Sequence, residues 1–164
     1  MRRALAPAVG LALAIVAPAL GRDALGVFEH WAAFRDPAVP RCYALAKAED
    51  SPLHRDYQPY ADVGSWPRRG VRGQVHFRLS RKLDGKAPIM LAIGGQRFRL
   101  VGGGGDVWAA DARMDAAVVA AMRSAGQMTV AARGVDGKPF SNTFPLAGAA
   151  SALDAAMLGC AGLR

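Results

Sequence analysis

The chain has 164 residues, with 21 Lys and Arg against 13 Asp and Glu, a formal net charge of +8, and an apolar share of 52%. Without a leader of 21 residues, 143 remain, which is the size of one ordinary domain with a real hydrophobic core and makes one domain the default. There are only two cysteines, and neither has a close Cys or His partner at zinc-site spacing, which excludes a zinc centre.

The N-terminus reads Met1-Arg2-Arg3 and then runs from Ala4 to Leu20 without a charge. A short basic start followed by a short apolar stretch is the pattern of a secretory signal. The small residues in Ala17-Pro18-Ala19 and Ala19-Leu20-Gly21 place cleavage after Gly21, within a few residues. The stretch holds Pro7 and Pro18 and is shorter than the roughly 20 apolar residues that a spanning helix needs. Residues 1–21 are therefore read as a signal peptide and 22–164 as the domain. No cysteine adjoins the cleavage site to accept a lipid, and no later segment is long and apolar enough to span a bilayer.

Residues 27–34 combine aromatic and β-branched side chains and predict a first strand with Trp31 or Phe28 inward. Arg41 to Lys47 predicts a second, with Cys42, Ala44 and Ala46 on one face. A polar loop follows from Glu49 to Asp56. Val71, Gly73, Val75, Phe77 and Leu79 recur at every second residue and Asp84-Gly85 offers a turn. With residues 88–93 and 96–101 this predicts a meander of three antiparallel strands. Gly102 to Gly105 lacks the Gly-Lys-Ser/Thr ending of a phosphate loop and leads into a short strand, Asp106-Val107-Trp108, so it reads as a turn or bulge.

Asp111 can cap a helix in which Met114, Ala117, Val118, Ala121 and Met122 fall at three- and four-residue spacing, ended by Gly126. Two strands, 127–133 and 138–144, flank an Asp136-Gly137 turn and read as a hairpin. An alanine-rich segment, 147–158, reads as a terminal helix that delivers Cys160. The expected fold is mainly β: a single antiparallel, β-sandwich-like domain with one helix after the central meander and a short C-terminal helix.

In an exported chain a pair of cysteines suggests a disulfide, and Cys42 to Cys160 is the one intramolecular connectivity. Such a bridge leaves neither thiol as a nucleophile. His30 and His76 read as strand residues, and Ser65 as a turn residue outside any Gly-x-Ser-x-Gly elbow. A hydrolase reading, with His54 using Asp56 or Ser65, ranks last. Asp111 and Asp115 read as first-turn acids favoured by the helix dipole. No catalytic residue, cofactor site or metal site emerges. Basic residues cluster between Arg68 and Arg99 and could attract anionic lipid, polysaccharide or nucleic acid. Their alternation with apolar residues favours a solvated strand face, and nucleic acid is discounted for an exported chain.

The exported start, Trp31 and Phe34 before Arg41-Cys42, the Phe98 strand, Asp111 to Met122, and the Asp136-Gly137 hairpin stand in a telling order. Phe144-x-Leu146-x-Gly148 and Ala152-Leu153-Asp154 then precede Cys160. Together, from Val27 to Cys160, they resemble the bacterial invasion-associated locus B family. The resemblance implies a small β-sandwich-like protein of the periplasm or outer surface of a Gram-negative bacterium, linked in some pathogens to host-cell entry. It implies no enzyme activity, no cofactor and no catalytic residues. Many members carry a further cysteine soon after the first, and this chain does not. The leading expectation is a non-enzymatic envelope protein that binds an envelope or host protein or a surface component. The second is a small-ligand or glycan-binding module using Trp31, Tyr57, Tyr60, Trp66 and Trp108 as stacking surfaces.

Overall fold

The computed structural model describes residues 21–162; the predicted leader, apart from Gly21, lies outside them. Strands β1 (Asp23–Phe28) and β2 (Trp31–Asp36) form a hairpin around Glu29-His30. The single strand expected over 27–34 is therefore two. A two-residue hairpin turn needs positive φ, and Glu29 supplies it at φ 54 without the glycine or asparagine that would have marked a turn in the sequence. His30 lies in that turn, not in a strand, and its backbone N–H donates to the Ala147 carbonyl. Gly148 supports the same corner, because an added Cβ there would run into the Phe28 carbonyl.

Strand β3 (Arg41–Lys47) has the expected bounds and turns Cys42, Ala44 and Ala46 inward. Strand β4 (Tyr60–Trp66) was not expected, because Asp62 and Gly64 interrupt its apolar alternation; Ala61 and Val63 still enter the core. A 3-10 turn, Pro67–Arg69, leads into β5 (Val71–Arg78). The remaining strands are β6 (Ile89–Ile93), β7 (Gln96–Gly103), β8 (Asp106–Trp108), β9 (Gln127–Arg133) and β10 (Pro139–Pro145). Two helices, α1 (Ala112–Met122) and α2 (Ala149–Cys160), fall close to the predicted segments.

All ten strands pair antiparallel in one sheet of order β1-β2-β3-β4-β5-β8-β7-β6-β9-β10. The expected meander does not form, because β8 is inserted between β5 and β7, and β6 pairs with β7 and β9. Val107 of β8, fully buried, sits opposite Phe77 on one side and Gly102 on the other. Gly102 has φ 149, and a side chain there would strike the Asp106 backbone, so the insertion depends on glycine. The glycine run is thus the turn that sends β8 back into the sheet.

The sheet folds over itself into a sandwich-like body. Phe77 on β5 meets Phe144 on β10 at 5.6 Å between ring centroids, and Ser80 N–H donates to Asn142 Oδ1 at 2.9 Å. Trp31, Phe77, Leu91, Ile93, Met122, Met128 and Phe144 are almost wholly buried. Each such side chain contributes roughly 1.5–3 kcal/mol relative to exposure. Helix α2 packs on β1 to β4 and α1 on β5 to β7. The Cys42–Cys160 disulfide ties the end of α2 to β3, with Cα atoms 5.7 Å apart.

Asp111 caps α1 as expected, accepting Met114 N–H at 2.8 Å. Asp115 does something else. Strand β8 ends at Trp108, opposite His76, so the preceding inward residue of β5, Val75, has no strand partner on that edge. Buried Asp115 accepts the Val75 N–H at 2.8 Å and completes the edge. Burial raises its carboxyl above the ordinary range and nearby Asp111 adds to this, while the Val75 hydrogen bond opposes both.

Candidate functional site

Strand alternation carries one polar or aromatic pair to the outer face of each of three adjacent strands. These are Tyr60 and Asp62 on β4, His76 and Arg78 on β5, and Asp106 and Trp108 on β8. Register aligns Asp62 with His76 and His76 with Trp108, and likewise Tyr60 with Arg78 and Arg78 with Asp106. Six side chains remote in sequence thereby become one surface cluster.

His76 is its centre. Its Nδ1 lies 2.7 Å from Asp62 Oδ2 and its Nε2 lies 3.1 Å from Asp106 Oδ1. Both bonds require a hydrogen on each ring nitrogen, which is the imidazolium form. Partial burial opposes that charge, but the hydrogen bonds and charges of Asp62 and Asp106 outweigh it and lift the His76 pKa above its ordinary value. Asp106 also accepts from Arg78, whose guanidinium stands 3.9 Å over the Tyr57 ring. The His76 ring is tilted against Trp108 at 5.0 Å and meets Tyr60 edge-on at 5.7 Å. Burial raises the Tyr60 hydroxyl pKa, and Asp62 and Asp106 push the same way. The two carboxylates address opposite nitrogens of His76, so the three side chains do not converge on one point as metal ligands would.

Four of the five aromatics named from sequence as stacking surfaces reach this side of the sheet. Tyr60 and Trp108 flank His76; Tyr57 lies under Arg78 and against Gly105. The Trp66 ring covers Gly64, where an added Cβ would stand 2.7 Å from it. Trp108 is 36% exposed. Trp31 is the exception: it is 0% exposed, and its Nε1–H donates to the Pro145 carbonyl at 2.9 Å. It belongs to the core and is no stacking surface, because the β1–β2 turn points it inward. Beyond the cluster the same face continues through Tyr43, stacked on Phe34 at 5.3 Å with Arg41 above it at 4.6 Å.

The residues of the hydrolase reading divide. His54 Nε2 is 3.2 Å from Asp56 Oδ1 on an exposed loop, whereas Ser65 Oγ accepts Gly73 N–H at 3.0 Å and lies level with Cys42. The Asp56 carboxyl is lowered chiefly by the Lys82 backbone N–H, which gives it a loop-bracing role. Sequence reasoning read His76 and Asp106 as strand residues and Arg78 as part of the basic cluster, and it assigned none of them, nor Asp62, to a site. The polar-x-polar pairs in otherwise apolar alternation were the available signal, but their alignment across strands depends on register that the sequence does not state. Of the basic cluster, Arg78 and Arg81 form ion pairs with Asp106 and Asp136, while Arg72, Arg97 and Arg99 are exposed on β5 and β7. Among the described residues no helix is long and apolar enough to cross a membrane.

No family model matches the chain, and no curated protein matches it. Among solved structures, the chain is similar to the crystal structure of invasion associated protein B from Bartonella henselae. The match has a TM-score of 0.53 at 15% sequence identity and covers 81% of this chain and 95% of that one. At that identity the likeness is one of fold.

Proposed function

We propose that this protein is an exported, non-enzymatic bacterial envelope protein related to the invasion-associated locus B family, and that it binds an envelope or host protein or a surface component. The observation that carries the binding reading is the outer face of β4, β5 and β8. It sets Tyr60 and Trp108 against an ion-paired histidine, with Tyr57 under neighbouring Arg78 and Trp66 over Gly64 on the same side of the sheet. Aromatic bodies with polar edges are the usual anchors of recognition surfaces. Export to the periplasm or beyond is supported by the leader-like residues 1–21 and by the disulfide, which suits an oxidising compartment. The fold shared with invasion associated protein B supports the family reading.

The test is capture from envelope fractions by the mature, oxidised protein, with Trp108→Ala and Tyr60→Ala as face variants and Arg123→Gln as a control on the helix side. The expected result is an envelope component held by wild type and the control and lost from both face variants. Equal capture by all four proteins would refute the face. Two titratable thiols in protein recovered from the periplasm would refute the oxidised, exported form.

A further inference from the structure

The other half of the sheet presents a different surface. Strands β6, β7, β9 and β10 contain no Asp or Glu at all. Beside Arg97 and Arg99, their outward positions hold Ala92, Thr129 and Ala131, together with half-buried Met90 between Arg99 and Ala131. Register sets Arg97 level with Ala92 and Thr129, and Arg99 level with Met90 and Ala131. Arg97 and Arg99 are exposed, stand on the same face of β7, and have no ion-pair partner among the described residues. Two residues on along that face comes Val101, 48% exposed, and beside it Trp108. On the Trp108 side the two carboxylates, Asp62 and Asp106, are already engaged by His76 and Arg78.

The result is a cationic sheet face with an aromatic edge at Trp108. The guanidinium groups arise from Cα atoms about 7 Å apart along the strand, and the short side chains of Ala92, Thr129 and Ala131 beside them leave room for a ligand. Guanidinium favours carboxylate and phosphate through paired N–H donors. An exposed indole offers an apolar face to a ring. A membrane surface would call for a continuous set of protruding apolar side chains. This face offers Trp108 and Val101 at one end and half-buried Met90 beside Arg99, with Ala92, Thr129 and Ala131 short. We infer that the outer face of β8, β7, β6 and β9 binds an acidic polysaccharide, with Arg97 and Arg99 pairing its anionic groups and Trp108 stacking on a sugar ring. This rests on the binding reading above and names the surface component.

The probe is polygalacturonate, with dextran as the neutral polymer and phosphatidylglycerol vesicles as the lipid arm, each titrated into the mature oxidised protein at low and high salt. The expected result is binding of polygalacturonate alone, weakened by salt. Arg97→Gln/Arg99→Gln should weaken it roughly tenfold, the loss of two exposed ion pairs. Arg123→Gln, which loses only its 2.6 Å pair with Asp154, should leave it unchanged. Both arginines are exposed, and matching thermal unfolding of the double variant and wild type checks the fold. Absence of polygalacturonate binding at low salt, equal binding by the double variant, or binding of vesicles in its place would each overturn the inference. If polygalacturonate fails while Trp108→Ala still abolishes envelope capture, the polysaccharide assignment falls and the binding face stands.

Discussion

Replacing both bridge residues by alanine, C42A/C160A, removes a cross-link between residues 118 apart in sequence. The chain-entropy treatment of a loop that long gives roughly 16 cal/mol/K, or about 5 kcal/mol at 25 °C. A domain of about 140 residues unfolds with an entropy near 0.3 kcal/mol/K, so the expected fall in melting temperature is about 15 °C. Cys42 and Cys160 are 1% and 8% exposed, so the small voids left by the sulfurs act in the same direction. Scanning calorimetry of oxidised wild type and the double variant at pH 7 measures the fall, with far-ultraviolet dichroism as a check that both are folded. Hydrogen exchange over Ala149–Cys160 separates global destabilisation from detachment of α2 alone. A fall below about 3 °C with an unchanged spectrum would refute the reasoning, because it would mean that the unfolded chain already holds its ends together.

His76→Gln should remove a pH dependence. Since Asp62 and Asp106 raise the folded pKa of His76 above its unfolded value, its stabilisation is fully present below about pH 6.5 and is lost as pH rises through the folded value. Urea unfolding from pH 5 to 9 should therefore show wild type losing stability across that rise and the variant staying flat there; parallel curves would dismiss the clamp. At Asp115 the folded pKa is also raised, so its ionised form weighs against folding at neutral pH. Asp115→Asn keeps an acceptor for Val75 N–H and should match or exceed wild-type stability at pH 7, whereas Asp115→Ala should lose about 1–3 kcal/mol by orphaning that donor. Equal stability of the two variants would show that the bond to Val75 carries nothing.

Much of the fold was legible locally. Strand β3, the apolar alternation of β5, the Asp136-Gly137 hairpin and the Asp111-capped helix each declare themselves through period or turn chemistry. The misses have local causes too. Glu29 takes a turn conformation usually left to glycine, so β1 and β2 read as one strand. Asp62 and Gly64 hide β4 because they face outward, where Asp62 meets His76 and Gly64 lies under Trp66.

The sequence by itself determined the class of fold, the inward faces of β3 and β5 and the pairing of the two cysteines, since these follow from periodicity and from a count of two. Only the tertiary structure decided the strand order, because insertion of β8 between β5 and β7 rests on the close approach of Gly102 to Asp106. That insertion also made the site. Asp106 and Trp108 reach His76 only because β8 lies beside β5, and such cross-strand neighbours are set by register over long sequence separations, which no local pattern encodes.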